Sequence, residues 1–185
     1  VKGMKGSERR LAFIRGDLNA TRENPAAYKK HVLPVIEKGD AYTWFHHGLL
    51  DVSTGQHGKD PNFTEPTFEA LYESTYGVAP SGDFYDAYKL VKSWRDALQK
   101  AFWVNKDNPN KDKLVAALDK MINDPESVAA IEKKVGKYEW RTGSDGDAAV
   151  RILKSFITPK ALKTLANFKS KQLGYNTVYK EELTE

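Results

Sequence analysis

Two stretches of this 185-residue chain hold the residue types that chemistry needs. The first is "WFHHGLLDVSTGQHGKD", which gathers His46, His47, Asp51, His57 and Asp60 in one short run. Imidazole and carboxylate groups ligate divalent metals, and His47, Asp51 and His57 form one candidate set. Their spacing matches no established metal motif, so two readings stand: a metal-dependent enzyme using His46, His47, Asp51 and His57, or a loop whose histidines make ordinary hydrogen bonds. The second stretch is "GMKGSERRLAFIRGDLNAT", residues 3–21. Ser7 is suited to cap a helix, and Gly6 before it lets the backbone bend sharply. Leu11, Ala12, Phe13 and Ile14 predict a mostly buried helix that Gly16 ends in the left-handed region. An open helix N-terminus flanked by Lys5, Arg9 and Arg10 favours an anion. The same letters also describe an ordinary strand–turn–helix corner.

Composition narrows the classes. There is no Cys, which excludes disulfides, thiolate metal sites and a thiol nucleophile. No G-x-S-x-G, Walker A or G-x-G-x-x-G sequence occurs. The net charge is +4, yet residues 1–30 alone hold eight Lys/Arg against three Asp/Glu. That local excess favours an anionic partner near the first helix. No long basic run or RNP-like aromatic motif accompanies it, so nucleic acid is not an expected partner. No apolar run approaches bilayer length and no signal-peptide pattern is present. The chain opens on Val rather than Met, as though cut from a longer precursor.

The elements that must position these residues are marked by proline. Asn24-Pro25, Glu65-Pro66, Asn108-Pro109, Asp124-Pro125 and Thr158-Pro159 each read as a helix start. Pro34 should kink or shorten the helix opened by Pro25. Further helices are expected across "FYDAYKLVKSWRDA" and after Ser144 and Asp147, which resemble a weak capping box. Strands are predicted near 17–22, 42–47 and 98–104, with "KYEWR" as a weaker fourth. Strands alternating with helices imply parallel or mixed βαβ sheets in a helix-rich α/β chain. In "STYGVAPSGDFYDAYKLVKSW", Tyr76, Phe84, Tyr88 and Trp94 are expected in the core, with an exposed stacking face as the alternative.

Read together, these segments resemble the substrate-binding proteins of tripartite tricarboxylate transporters, the TctC or Bug family. The resemblance runs through Gly6, Ser7, Glu8, Leu11, Ala12, Arg15, Gly16 and Asp17, then Pro66 and Thr67. It continues at Pro109, Leu118, Asp124, Pro125, Glu126 and Gly136, and covers most of residues 3–155. "NKDNPNKD" lacks the double Pro and Gly usual in the family. The resemblance implies a periplasmic-binding-protein-like fold of type 2. Residues 1–97 would be the second lobe, and 98–185 the crossover strand and C-terminal helices of a first lobe that precedes Val1. It implies an extracytoplasmic, non-enzymatic, cofactor-free protein that passes a small carboxylate to membrane transporter subunits. The ligand would sit at Lys5, Gly6, Ser7, Glu8 and Thr21. With a lobe absent, a homodimer through the cleft side or sheet edge is expected, a dimeric interaction module stands as a further alternative function, and dicarboxylates should bind weakly or not at all without the rest of the protein.

Overall fold

Three of the five proline-marked starts, at Pro25, Pro125 and Pro159, are helix starts in the computed structural model, which describes residues 3–98 and 101–177; the helices after Pro66 and Pro109 begin two residues later. The helices are α1 (Gly6–Ile14), α2 (Pro25–Ala27), α3 (Leu33–Glu37), α4 (Phe68–Tyr76), α5 (Asp83–Leu98), α6 (Lys111–Ile122), α7 (Pro125–Val135), α8 (Gly143–Ser155) and α9 (Pro159–Lys171). Side-chain caps account for several of these boundaries. The Asn24, Asp124 and Thr158 oxygens accept the amides of Ala27, Ser127 and Ala161, each followed by Pro at the first helical position. Thr67 caps α4 the same way, so that helix begins after Pro66 rather than at it.

Pro34 neither ends its helix nor leaves it regular. A π-helical stretch, Tyr28–Val32, joins α2 to α3, and the Leu33 amide reaches back to the Tyr28 carbonyl. Proline lacks an amide and its ring crowds the carbonyl four residues back, so widening the preceding turn relieves both constraints.

The expected strands are where the sequence reading is corrected. Residues 17–22 form no strand, because Gly16 turns the chain at φ 80° and the Asp17 and Leu18 amides both bond the Ala12 carbonyl. That closure takes the donors a strand would need. Within 42–47 only His46 bridges, to Thr67 in parallel, while Tyr42 and Trp44 point into solvent. Of 98–104, Leu98 ends α5, residues 99–100 lie outside the described set, and 101–104 are irregular. "KYEWR" is irregular as well. Among the described residues the sheet is one antiparallel pair, β1 (Leu49–Leu50) and β2 (His57–Gly58), in the register Leu50 opposite His57. The chain is therefore helix-rich with a small two-stranded sheet, and the parallel βαβ arrangement is absent among the described residues.

Two compact units make up the fold. One comprises residues up to Trp44 together with Ala116–Glu139, and the other Phe45–Val115 together with Trp140–Glu185. The expected division at 97/98 falls at the last turn of α5. In the first unit Ala12 and Val32 are buried, and α2 packs against α7. In the second, α5 lies against α8, α9 and β1, around Leu50, Ala87, Leu90, Ala149, Leu153, Ala161 and Ala166. The alanines let helix axes approach closely, so this core is dense in backbone and short of large apolar side chains. The aromatic core expectation fails in part: Tyr76, Phe84 and Trp94 are exposed, and only Tyr88 is half-buried.

Candidate functional site

In the first unit, α1 begins one residue before Ser7. Its N-cap is Lys5, and Ser7 is an exposed residue of the first turn rather than the cap. The reason is Glu8, whose carboxylate accepts the Lys5 amide at 2.8 Å and holds the helix entry in place of a serine hydroxyl. Lys5, Gly6, Ser7 and Glu8 are all exposed, and the Glu8 carboxylate stands where an incoming anion would approach.

One turn further in, Arg9 shares the Lys5 face of α1. Its Nη2 donates to the Arg22 carbonyl at 2.7 Å, which brings the guanidinium alongside the Thr21–Glu23 backbone. Arg10 pairs with Glu23 at 3.2 Å, both side chains largely shielded. Three polar atoms on these residues are buried without a hydrogen-bond partner: Arg9 Nε, Thr21 Oγ1 and Glu23 Oε1. An unpaired buried donor costs about 1–3 kcal/mol. The sequence reading names Thr21 as a candidate ligand residue and Arg9 only as flanking charge. The signal for Arg9 was its spacing of four from Lys5.

The second unit holds a denser polar group, built by the 45–58 stretch, α4 and α5. Lys92 is 5% exposed and donates from Nζ to the Gly48 carbonyl at 2.9 Å. Burial pulls its ammonium down to about 7, against the pull of Glu69 and Asp60, which favour the charged form. The side chain of His57 is almost wholly buried, with Nε2 at 3.3 Å from the Ser93 hydroxyl and Nδ1 at 3.9 Å from the Glu69 carboxylate. Burial first, and then the Lys92 charge, lowers His57 to about 3. His47 bonds the Tyr88 hydroxyl at 2.9 Å and is lowered to about 4 by the same two causes. His46 stacks on Phe63, and its Nδ1 accepts the Gly48 amide at 2.9 Å. The proton of the neutral His46 ring therefore sits on Nε2, which is buried without a partner. Burial lowers His46 and raises Glu69, and the Tyr85 hydroxyl bonds Glu69 at 3.3 Å.

The candidate metal set is not assembled. Asp51 is exposed, its carboxylate holding the Ser53 amide and hydroxyl at 2.8 and 2.6 Å, bonds that bring it down to about 2. His46, His47 and His57 face Phe63, Tyr88 and Ser93 respectively. Among the described residues no group of three or more His, Cys, Asp or Glu could hold a metal ion. The order Ser93, His57, Glu69 is that of a hydroxyl, a base and an orienting carboxylate. Its geometry does not serve acyl transfer. The 3.9 Å separation is too long for a hydrogen bond, and Ser93 is fully buried within α5.

Glu69, Lys92 and Ser93 were missed as members of this group. The signal for Lys92 was its place on α5, where Tyr85, Tyr88 and Lys92 fall at helical spacing of three and four. A lysine on that half-buried stripe is an anomaly readable from the letters. Comparison with protein-family models, curated proteins and solved structures finds no match to this chain.

Proposed function

We propose that this chain captures a small carboxylate, as part of an extracytoplasmic solute-binding protein of the tripartite tricarboxylate transporter kind. The observation that carries the reading is the pair of unsatisfied buried donors, Arg9 Nε and Thr21 Oγ1, beside the Arg9–Arg22 bond. A carboxylate oxygen reaching them gains charge-assisted hydrogen bonds and relieves donors that folding left unpaired. The Lys5 ammonium, with the free amides of Gly6 and Ser7 at the start of α1, adds positive potential on the approach. Glu8 must swing aside for an anion to reach those amides, so the Arg9–Thr21 end makes the larger contribution. The excess of basic residues in 1–30 supports the same sign of ligand.

The sequence resemblance supplies the biological setting, with membrane transporter subunits as partners and a second copy of the chain as a further one.

Calorimetry with succinate, citrate and an uncharged diamide of equal size tests the reading. Both acids should bind and the diamide should not. Arg9→Gln and Thr21→Val should each weaken the acids about ten- to a hundredfold, the loss of one charge-assisted hydrogen bond. Equal binding of acid and diamide, or unchanged affinity in both variants, overturns it.

A further inference from the structure

The buried polar group of the second unit has no part in that reading, and its composition is unusual. Three imidazoles and one ammonium meet the carboxylates of Asp60, Glu65 and Glu69 beside a core in which Leu50, Leu153 and Ser93 are fully buried. The bonds that tie the 45–58 stretch to α5 run through these groups: His47 to Tyr88, His57 to Ser93, and Gly48 to Lys92. We propose that His47, His57 and Lys92 form an acid-sensitive latch, which holds the 45–58 stretch against α5 while the imidazoles are neutral and releases it when they take protons.

The surroundings leave the added charge poorly balanced. The 45–48 stretch presents His46, the loop before α4 presents Asp60 and Glu65, and α4 presents Glu69. From α5 come Tyr85, Asp86, Tyr88 and Lys89 besides Lys92. Arg141 reaches the same hairpin through the Leu50 carbonyl. Acid adds cations at His47 and His57 and removes the anion at Glu69 that faces them; the raised Glu69 carboxyl by itself favours the closed form in acid, one group against two. An imidazolium beside a buried ammonium is repelled by it and has lost its water, whereas in the released stretch each ring is hydrated.

The sign is that of bases bound more tightly by protons in the open form: the latch is closed above the ordinary histidine range and opens as pH falls through it. With His47 and His57 held at about 4 and about 3 against an ordinary 6.5, the open form gains on the order of a thousandfold between pH 7.5 and pH 5.

Hydrogen exchange on the full chain at pH 7.5 and pH 5.0, corrected for intrinsic rates, reads the latch directly. Amides of 45–58 should lose protection by a hundredfold or more relative to those of α9. Unchanged relative protection overturns the proposal. The double variant His47→Phe, His57→Gln should cut the response to the roughly fourfold that Lys92 alone supplies, and a hundredfold loss persisting there counts against the latch. Should that variant not fold, the imidazole resonances of the unaltered chain decide: both rings titrating below about pH 5 support the latch, and titration near 6.5 overturns it.

Discussion

Replacing Lys92 by Met separates a buried charge from the packing around it. Lys92 is held at about 7 in the fold, against 10.5 for the free side chain. By linkage, a lysine with a lowered folded pKa destabilises fully below that value, and the cost fades as pH rises towards the unfolded one. At 1.36 kcal/mol per unit this amounts to about 5 kcal/mol at pH 6 and about 1.5 kcal/mol at pH 9.5. Methionine fills nearly the same volume and removes the cost, but it forfeits the bond to the Gly48 carbonyl, worth about 1.5–3 kcal/mol for a charged donor. It also leaves Glu69 without a nearby cation, which drives that carboxyl further towards its neutral form. The expected outcome is a variant about 2–3 kcal/mol more stable than the parent at pH 6 and no more stable at pH 9.5. Urea unfolding at both pH values, followed by tryptophan fluorescence, measures it. The decisive quantity is the difference between the two, about 3 kcal/mol. If Lys92→Met shifts stability equally at pH 6 and pH 9.5, or destabilises more at pH 6, the burial argument is wrong.

Other substitutions test the packing. Gly48→Ala should break the β1–β2 pair, since Gly48 has φ +74° and an added Cβ would lie 2.3 Å from the Gly58 carbonyl oxygen. A loss of more than about 3 kcal/mol is expected, because a backbone atom cannot step aside. Leu153→Ala empties a site that is 1% exposed, and should cost about 2–5 kcal/mol in thermal or urea unfolding. Thr158→Ala removes the oxygen that accepts the Ala161 amide and should cost about 1 kcal/mol, seen as early fraying of α9 in hydrogen exchange.

Helices were legible in the letters because their ends are chemically marked. Asn24, Asp124 and Thr158 before proline fix a cap and the first helical position together, and the structure places helix starts there. Strands were not legible, because a strand depends on partners distant in sequence. "YTWFHH" has the right composition, yet Tyr42 is 80% exposed and only His46 finds a bridge. "DLNAT" failed for a local reason: the closure of α1 on Ala12 took the amides of Asp17 and Leu18. The three histidines of "WFHHGLLDVSTGQHG" stand out in the letters as candidate metal ligands, a role the structure does not assemble among the described residues. Their partners, however, come from α4 and α5, and nothing in the loop's own spacing points to Glu69, Tyr88, Lys92 or Ser93. Ser7 misled for the opposite reason, since a glutamate three residues after Lys5 outcompeted it at the helix entry.

On the proposed function, Arg9 on α1 and Thr21 beside it receive a carboxylate. Amide chemical shifts of the chain, followed during titration with succinate and in parallel with succinamide, test it most directly because they register millimolar binding and locate it. Saturable shifts are expected at Gly6, Ser7, Arg9 and Thr21 with succinate and none with succinamide. Shifts of equal size with both compounds, or succinate shifts confined to residues elsewhere in the chain, would contradict it.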